Sequence, residues 1–177
     1  MPVEFIELKR DCEAVQIPNG NKVVLPKGTQ GRIMQSLGGA YTIVTDYGEM
    51  VRIAGENGDA IGKPVIQGPT IDPNKPLSNQ VWDQLKTCYD PEIPINIVEL
   101  GLVYDMKIIP LEDKTNRVEI KMTLTAPGCG MGEALQRDAQ AKIERLPGVR
   151  EAAIELVWEP PWDQSKMSEA AKLQLGL

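Results

Sequence analysis

Pro64, Pro69, Pro73 and Pro76, with Gly62 and Gly68 among them, fall in one short stretch of the chain. Proline fixes φ and lacks the amide hydrogen that helices and central strands require, so no regular element runs through this stretch. The chain is therefore expected to divide into residues 1–63, a linker over 64–77, and residues 78–177. Each part must then bury a core of its own, and 177 residues suffice for two small domains.

The first part reads as short strands separated by turn signals. Glu4 to Leu8, Ala14 to Ile17, Lys22 to Leu25, Arg32 to Gln35, Tyr41 to Thr45 and Met50 to Ile53 alternate or run apolar, and Asn19-Gly20, Gly38-Gly39 and Tyr47-Gly48 reverse the chain. Strands at this spacing predict a small all-β, barrel-like module. Tyr41 and Tyr47 fit no ligand pattern, and a protein-binding role is the simplest one for the module.

The second part mixes both periodicities. Beyond Ser78, placed as an N-cap, Val81, Trp82, Leu85, Cys88 and Tyr89 trace one helical face that stops at Asp90-Pro91. Leu102 to Ile109 and Val118 to Thr125 flank a polar loop and predict an antiparallel hairpin. Glu133 to Leu146 sets Leu135, Ala139, Ile143 and Leu146 on one face, and Pro147-Gly148 ends that helix before a strand over Val149 to Trp158. The last two strands then run parallel through a right-handed crossover. The whole is an α+β chain: a β module followed by an α/β sandwich with a mixed three-stranded sheet, helices and a C-terminal tail.

Several function classes fall away on composition. A net charge of −6 opposes the phosphate neutralisation on which non-specific nucleic-acid binding depends. No apolar run approaches the roughly eighteen residues of a membrane span, and the amino terminus has neither a basic region nor an apolar signal core, so a cytoplasmic location is expected. The chain has no histidine, which removes the usual general base and every Ser-His or Cys-His arrangement. Three cysteines, at 12, 88 and 129, form no disulfide framework.

One cysteine stands apart. Pro127-Gly128-Cys129-Gly130-Met131-Gly132 joins a strand to a helix, and a thiol in a glycine-bounded loop at a helix start lies beside unpaired amides and the positive end of the helix dipole. Such a thiol ionises readily and binds soft metals or attacks electrophiles. Cys88 shares a helical face with Val81 and Leu85, so burial is the better reading for it. Cys12 sits between Asp11 and Glu13, whose charges oppose its thiolate. The Gly-x-Gly at 128–130 lacks the spacing and downstream acid of a dinucleotide site.

Four segments in order, Asp90-Pro91-Glu92 through Val98-Glu99-Leu100-Gly101-Leu102-Val103-Tyr104, Met122-Thr123-Leu124-Thr125, Gly128-Cys129, and Trp158-Glu159-Pro160-Pro161-Trp162, resemble the small iron–sulfur cluster maturation factors that include PaaD-like proteins and the eukaryotic cytosolic iron–sulfur targeting factors. The resemblance covers nearly all of the second part. The first part, with Lys27-Gly28-Thr29 and Gln35 to Val44, is similar to the extension of the SufT branch. This implies an accessory role in iron–sulfur maturation or delivery, a homodimer, and Cys129 as the functional thiol. Gly130 departs from the proline that many relatives carry after the cysteine.

A complete iron–sulfur site takes four protein ligands, and one subunit offers one convincing thiolate. The expected cargo is thus iron or a cluster, held transiently and shared across a dimer or with a partner. Asp90 and Glu92 are candidate oxygen ligands, although Asp-Pro after a helix is also ordinary turn chemistry. Asn96 and Glu99 would reach the same pocket if their loop lies beside Cys129, and otherwise form a solvated turn. Thr123 and Thr125 would either hydrogen-bond sulfur or line the sheet's outer face. Trp158 and Trp162 suit docking of scaffold proteins and apo-targets, or packing of the tail; Met167 and Leu173 share that alternative. A metal-free adaptor is the competing reading, and a thiol enzyme is disfavoured because no resolving Cys-x-x-Cys pair is present.

Overall fold

Alternation of side chains across the backbone sets the first unit. In the computed structural model, which describes residues 4–17, 19–37, 39–90, 93–126 and 132–177, six strands form one antiparallel sheet. They are β1 (Glu4–Glu7), β2 (Cys12–Gln16), β3 (Lys22–Leu25), β4 (Gln30–Leu37), β5 (Ala40–Thr45) and β6 (Met50–Ala54), in the order β1-β4-β5-β6-β2-β3. Tyr41, Ile43, Val51 and Ile53 point inward and are buried with Cys12 and Ala14. A 3-10 segment over Gly55–Ile61 adds Ala60 and Ile61 to this core.

The expected barrel is corrected here. Among the described residues no ladder joins β1 to β3, so the sheet keeps two edges and is not closed. Strand β4 is longer than its apolar run suggests because Gly31 belongs to it. A Cβ at Gly31 would stand 2.6 Å from the Val44 carbonyl oxygen, so only glycine permits β4 to approach β5 this closely.

The proline stretch is shared between two compact contact units, Met1–Thr70 and Ile71–Leu177. Its first residues pack with the first unit: the Tyr41 hydroxyl donates to the Pro64 carbonyl at 3.0 Å, and the Ile66 amide donates to Gly55.

In the second unit, α1 (Leu77–Leu85) begins one residue before the expected cap. Pro76 takes the N-cap position without a side-chain bond, and its carbonyl accepts from Asn79 and Gln80. The helix also ends earlier than its apolar face implied. Thr87 turns its hydroxyl onto the Gln84 carbonyl at 2.7 Å, and Tyr89 bridges to Asn96. Cys88 is buried beyond the helix, not on it.

Strands β7 (Val103–Pro110) and β8 (Asn116–Met122) form the antiparallel hairpin, and β9 (Val149–Leu156) pairs parallel to β8 after α2 (Gly132–Glu144). Val118, Ile120, Met122 and Ile154 meet Leu85, Leu135 and Ile143 in the core. The tail closes the unit: Met167 and Ala171, the latter in α3 (Glu169–Leu175), are buried, whereas Leu173 is exposed. Gly101, at φ +71°, lies against the Lys166 carbonyl, where a side chain would collide. Among the described residues no helix is long and apolar enough to cross a membrane.

Candidate functional site

Strands β8 and β9 run parallel, so both end at the same side of the sheet, and the antiparallel β7 begins there. The Thr123 amide donates to the Leu102 carbonyl at 2.8 Å and the Val157 amide to Met122 at 2.8 Å, which fixes the chain on either side of the β8 terminus. Beyond Ala126 lies the segment carrying Cys129. Residues 127–131, like Pro91 and Glu92, lie outside the described residues, so the expectations for Cys129 and Glu92 are carried by their flanks.

Those flanks meet. Gly132, the first residue of α2, is packed so tightly onto the Leu124 side chain that a Cβ would collide with it. Leu124 and Gly132, which flank residues 127–131, therefore lie together at the N-terminal end of a 13-residue helix. Unpaired amides and the helix dipole favour an anion at such an end. Glu133 in the first turn pairs with Arg137 at 3.6 Å, which offsets part of its negative charge.

Both other cysteines are sealed. Cys12 is 1% exposed within the first core, and burial pushes its thiol up; Asp59 and Glu13 add to this and Arg10 opposes it. Cys88 is fully buried in the second core, with its thiol 3.6 Å from the Gln84 carbonyl.

The carboxylates have local work. Asp90 is buried at 8% exposure, and its Oδ1 accepts from the Ile93 amide at 3.2 Å. Asn96 Oδ1 accepts from the Val98 and Glu99 amides, an Asx arrangement that builds the turn before β7. Glu99 receives the Ser168 hydroxyl on its carboxylate and the Ser168 amide on its carbonyl, so it tethers the tail. Among the described residues no group of three or more Cys, Asp or Glu is placed to hold a metal ion.

Thr123 is 1% exposed, which corrects the outer-face reading: β8 has ended at Met122, and the chain turns inward. Its hydroxyl bonds the Tyr104 phenol, which donates to the Pro160 carbonyl at 2.8 Å. Lys166 stands 5.0 Å over the Tyr104 ring. Trp158 and Trp162 have different surroundings. The Trp162 indole donates to the Leu100 carbonyl at 2.7 Å and packs on the core, whereas Trp158 is 44% exposed beside the β8 terminus. A groove of about 490 Å³, bordered by Val24, Pro26, Lys27 and Tyr47, lies in the first unit and contains none of the expected site residues.

Comparison with known proteins bears on the second unit. The profile of the iron–sulfur cluster assembly proteins matches residues 78–156, from α1 through β9. The Fe-S protein maturation auxiliary factor of Porphyromonas gingivalis is 41% identical over 92 residues, which are 52% of this chain and 84% of that protein. The chain belongs to the iron–sulfur cluster assembly protein family. Within the family, the maturation auxiliary factor SufT of Staphylococcus aureus is 36% identical over 88 residues, 50% of this chain and 96% of that one. A crystal structure of a domain of unknown function from Bacillus anthracis aligns with a TM-score of 0.51 at 35% identity, covering 57% of this chain and 92% of its own. The resemblance read from Asp90 to Trp162 therefore holds, and this member is SufT-like.

Sequence reasoning placed Tyr104 at the end of the family-like segment but gave neither it nor Ser168 a role of its own, and both tie the tail to the family domain. Their partners, Pro160 and Glu99, are 56 and 69 residues away, and no local pattern announces such pairs.

Proposed function

We propose that this chain is an accessory factor of iron–sulfur cluster maturation that takes iron or a cluster onto the Cys129 thiolate and passes it to apo-proteins. One observation carries the reading. Of three cysteines, Cys12 and Cys88 are enclosed in apolar cores, which leaves Cys129 as the thiol available to a soft cargo. The contact between Leu124 and Gly132 supports it, because the residues that flank the segment meet at a helix start, an end that favours an anion. Relatives named as Fe-S protein maturation auxiliary factors support the same cargo class.

A single thiolate cannot complete a four-ligand site. The cargo is therefore shared, between two copies of the chain or with a scaffold or recipient protein, and sparse ligation favours its release. Asp90 and Glu92 are the oxygen donors proposed to assist. The setting is cytoplasmic, and no catalytic turnover is assigned.

Anaerobic incubation with iron and sulfide, followed by visible spectroscopy and metal counting, tests this. Wild type is expected to gain colour and iron, and Cys129→Ser to gain neither. Equal loading of both proteins overturns the thiolate role. The exposure of Trp158 favours a second reading, a metal-free adaptor. No loading of either protein, with Trp158→Ala abolishing maturation in cells and Cys129→Ser sparing it, selects the adaptor.

A further inference from the structure

The chain's single phenylalanine, Phe5, is 77% exposed on an edge strand of the first unit, outside the residues that match the family profile. The ladder explains what surrounds it. Phe5 pairs with Arg32, Arg32 with Val44, and Val44 with Met50, so these four share the outer face in one line across β1, β4, β5 and β6. At about 4.8 Å per strand the line spans roughly 14 Å. In the adjoining row Thr42 pairs with Arg52, Arg52 with Val15, and Val15 with Lys22. Met50 is 38% and Val15 36% exposed, and Val24, on the same face, is 64% exposed. Exposed apolar area gathered in this way marks interaction sites on soluble proteins.

We propose that this outer face docks an acidic, apolar-rich protein segment. Arg32 has no carboxylate partner among the described residues, and its cross-strand neighbours are Phe5 and Val44. A guanidinium beside an exposed ring is arranged to take a carboxylate through two hydrogen bonds while the ring takes an adjacent apolar side chain. A carboxylate on Arg32, with an adjacent apolar residue over Phe5, Val44 and Met50, complements the face.

Other occupants fit less well. A second copy docked about a two-fold axis near Arg32 would oppose arginine to arginine, and light scattering tests the remaining two-fold arrangements. Nucleic acid would need a denser set of cations than Arg32, Arg52 and Lys22, in a chain of net charge −6 whose same face also carries Glu7 and Glu13. The proposal goes beyond the cargo reading and does not depend on Cys129.

The test uses the full chain and a fluorescein-labelled peptide of alternating Glu and Phe, read by fluorescence polarisation. Saturable binding is expected, weakened roughly tenfold or more by Arg32→Glu and several-fold by Phe5→Ala, with unchanged thermal melts confirming the fold. Lys121→Ala, on the other sheet, and Cys129→Ser should bind as wild type does. The latter separates this proposal from the cargo reading. Absence of saturable binding, equal weakening by Lys121→Ala, or tighter binding of a Lys-Phe peptide or an oligothymidine overturns the proposal. So does a dimer, seen by light scattering, that Phe5→Ala dissolves, because the face would then belong to a second copy.

Discussion

Arg117 and Arg32 both project from the outer face of a sheet, but their neighbours differ. Arg117, on the central strand of the three-stranded sheet, lies 3.1 Å from Glu119 and 3.3 Å from Glu151, and Lys107, opposite Glu119, lies 3.4 Å from Asp105. Arg32 lies between Phe5 and Val44. The three-stranded sheet pairs Arg117 with carboxylates of its own strands, and its one large apolar side chain exposed among the described residues, Ile109, lies opposite that arginine. The six-stranded sheet leaves apolar side chains and a guanidinium exposed together, which is the condition of a surface awaiting a partner. The family match falls on the three-stranded sheet, and the six-stranded one lies outside it. The two proposals, cargo handling and docking of a partner segment, therefore concern different units.

The strongest test of that division concerns the two cores. Ile43 and Leu85 are each fully buried, one in each unit, and truncating either to alanine should cost its own unit about 3 kcal/mol. Trp82, Trp158 and Trp162 all lie in the second unit, so tryptophan fluorescence reports that unit, whereas circular dichroism reports both. Urea titrations should show Leu85→Ala lowering the fluorescence midpoint and Ile43→Ala lowering only the dichroism component that fluorescence misses. Equal displacement of the fluorescence midpoint by Ile43→Ala would mean one cooperative unit and would break the comparison.

A smaller effect is expected at Trp162, whose indole donates to Leu100 at 2.7 Å. Trp162→Phe retains most of the apolar contact and strands that carbonyl, so the second unit should lose about 1 kcal/mol. The change should leave binding of the Glu-Phe peptide to the first unit untouched. If peptide affinity falls with stability, the two units communicate, and recruitment would have to be read as coupled to the site end.

How much of this was visible in the sequence depends on the range of each interaction. Lys22 to Leu25 and Met50 to Ile53 alternate strongly enough to be found almost to the residue, and the helix from Glu133 was legible from its apolar spacing. The C-terminal end of α1 was not. Cys88 keeps the helical spacing, but the Thr87 hydroxyl captures the Gln84 carbonyl and turns the chain first. Closure of the first sheet depends on whether β1 meets β3, a non-local question that strand spacing does not answer. At the site end, the sequence offered Asp90 and Glu92 as oxygen ligands or turn residues, and Asn96 and Glu99 as pocket or solvated-turn residues. The structure pairs Asp90 with the Ile93 amide, Asn96 with the Val98 and Glu99 amides, and Glu99 with Ser168 of the tail. The last contact comes from tertiary structure alone.

The smallest expected effect separates the units by pH. Burial raises the Cys12 thiol in the first unit, against the opposing influence of Arg10. Burial also raises the Tyr104 phenol in the second, where Asp163 adds to the rise and the Thr123 hydrogen bond opposes it. In both cases the neutral form is favoured by folding. The associated stability is fully present below the ordinary value of the group and is lost as pH climbs through the raised folded value. Ordinary values are about 8.5 for cysteine and about 10 for tyrosine, so the first unit should begin to weaken at lower pH than the second. Urea midpoints followed across the alkaline range should show the dichroism component declining first. Cys12→Ala should flatten that early decline, and Tyr104→Phe should flatten only the later one seen by fluorescence. Should Tyr104→Phe leave the fluorescence curve as steep as in wild type, the phenol that joins Thr123 to Pro160 is not sequestered from water, and the tail is not held over the end of β8 by that bond.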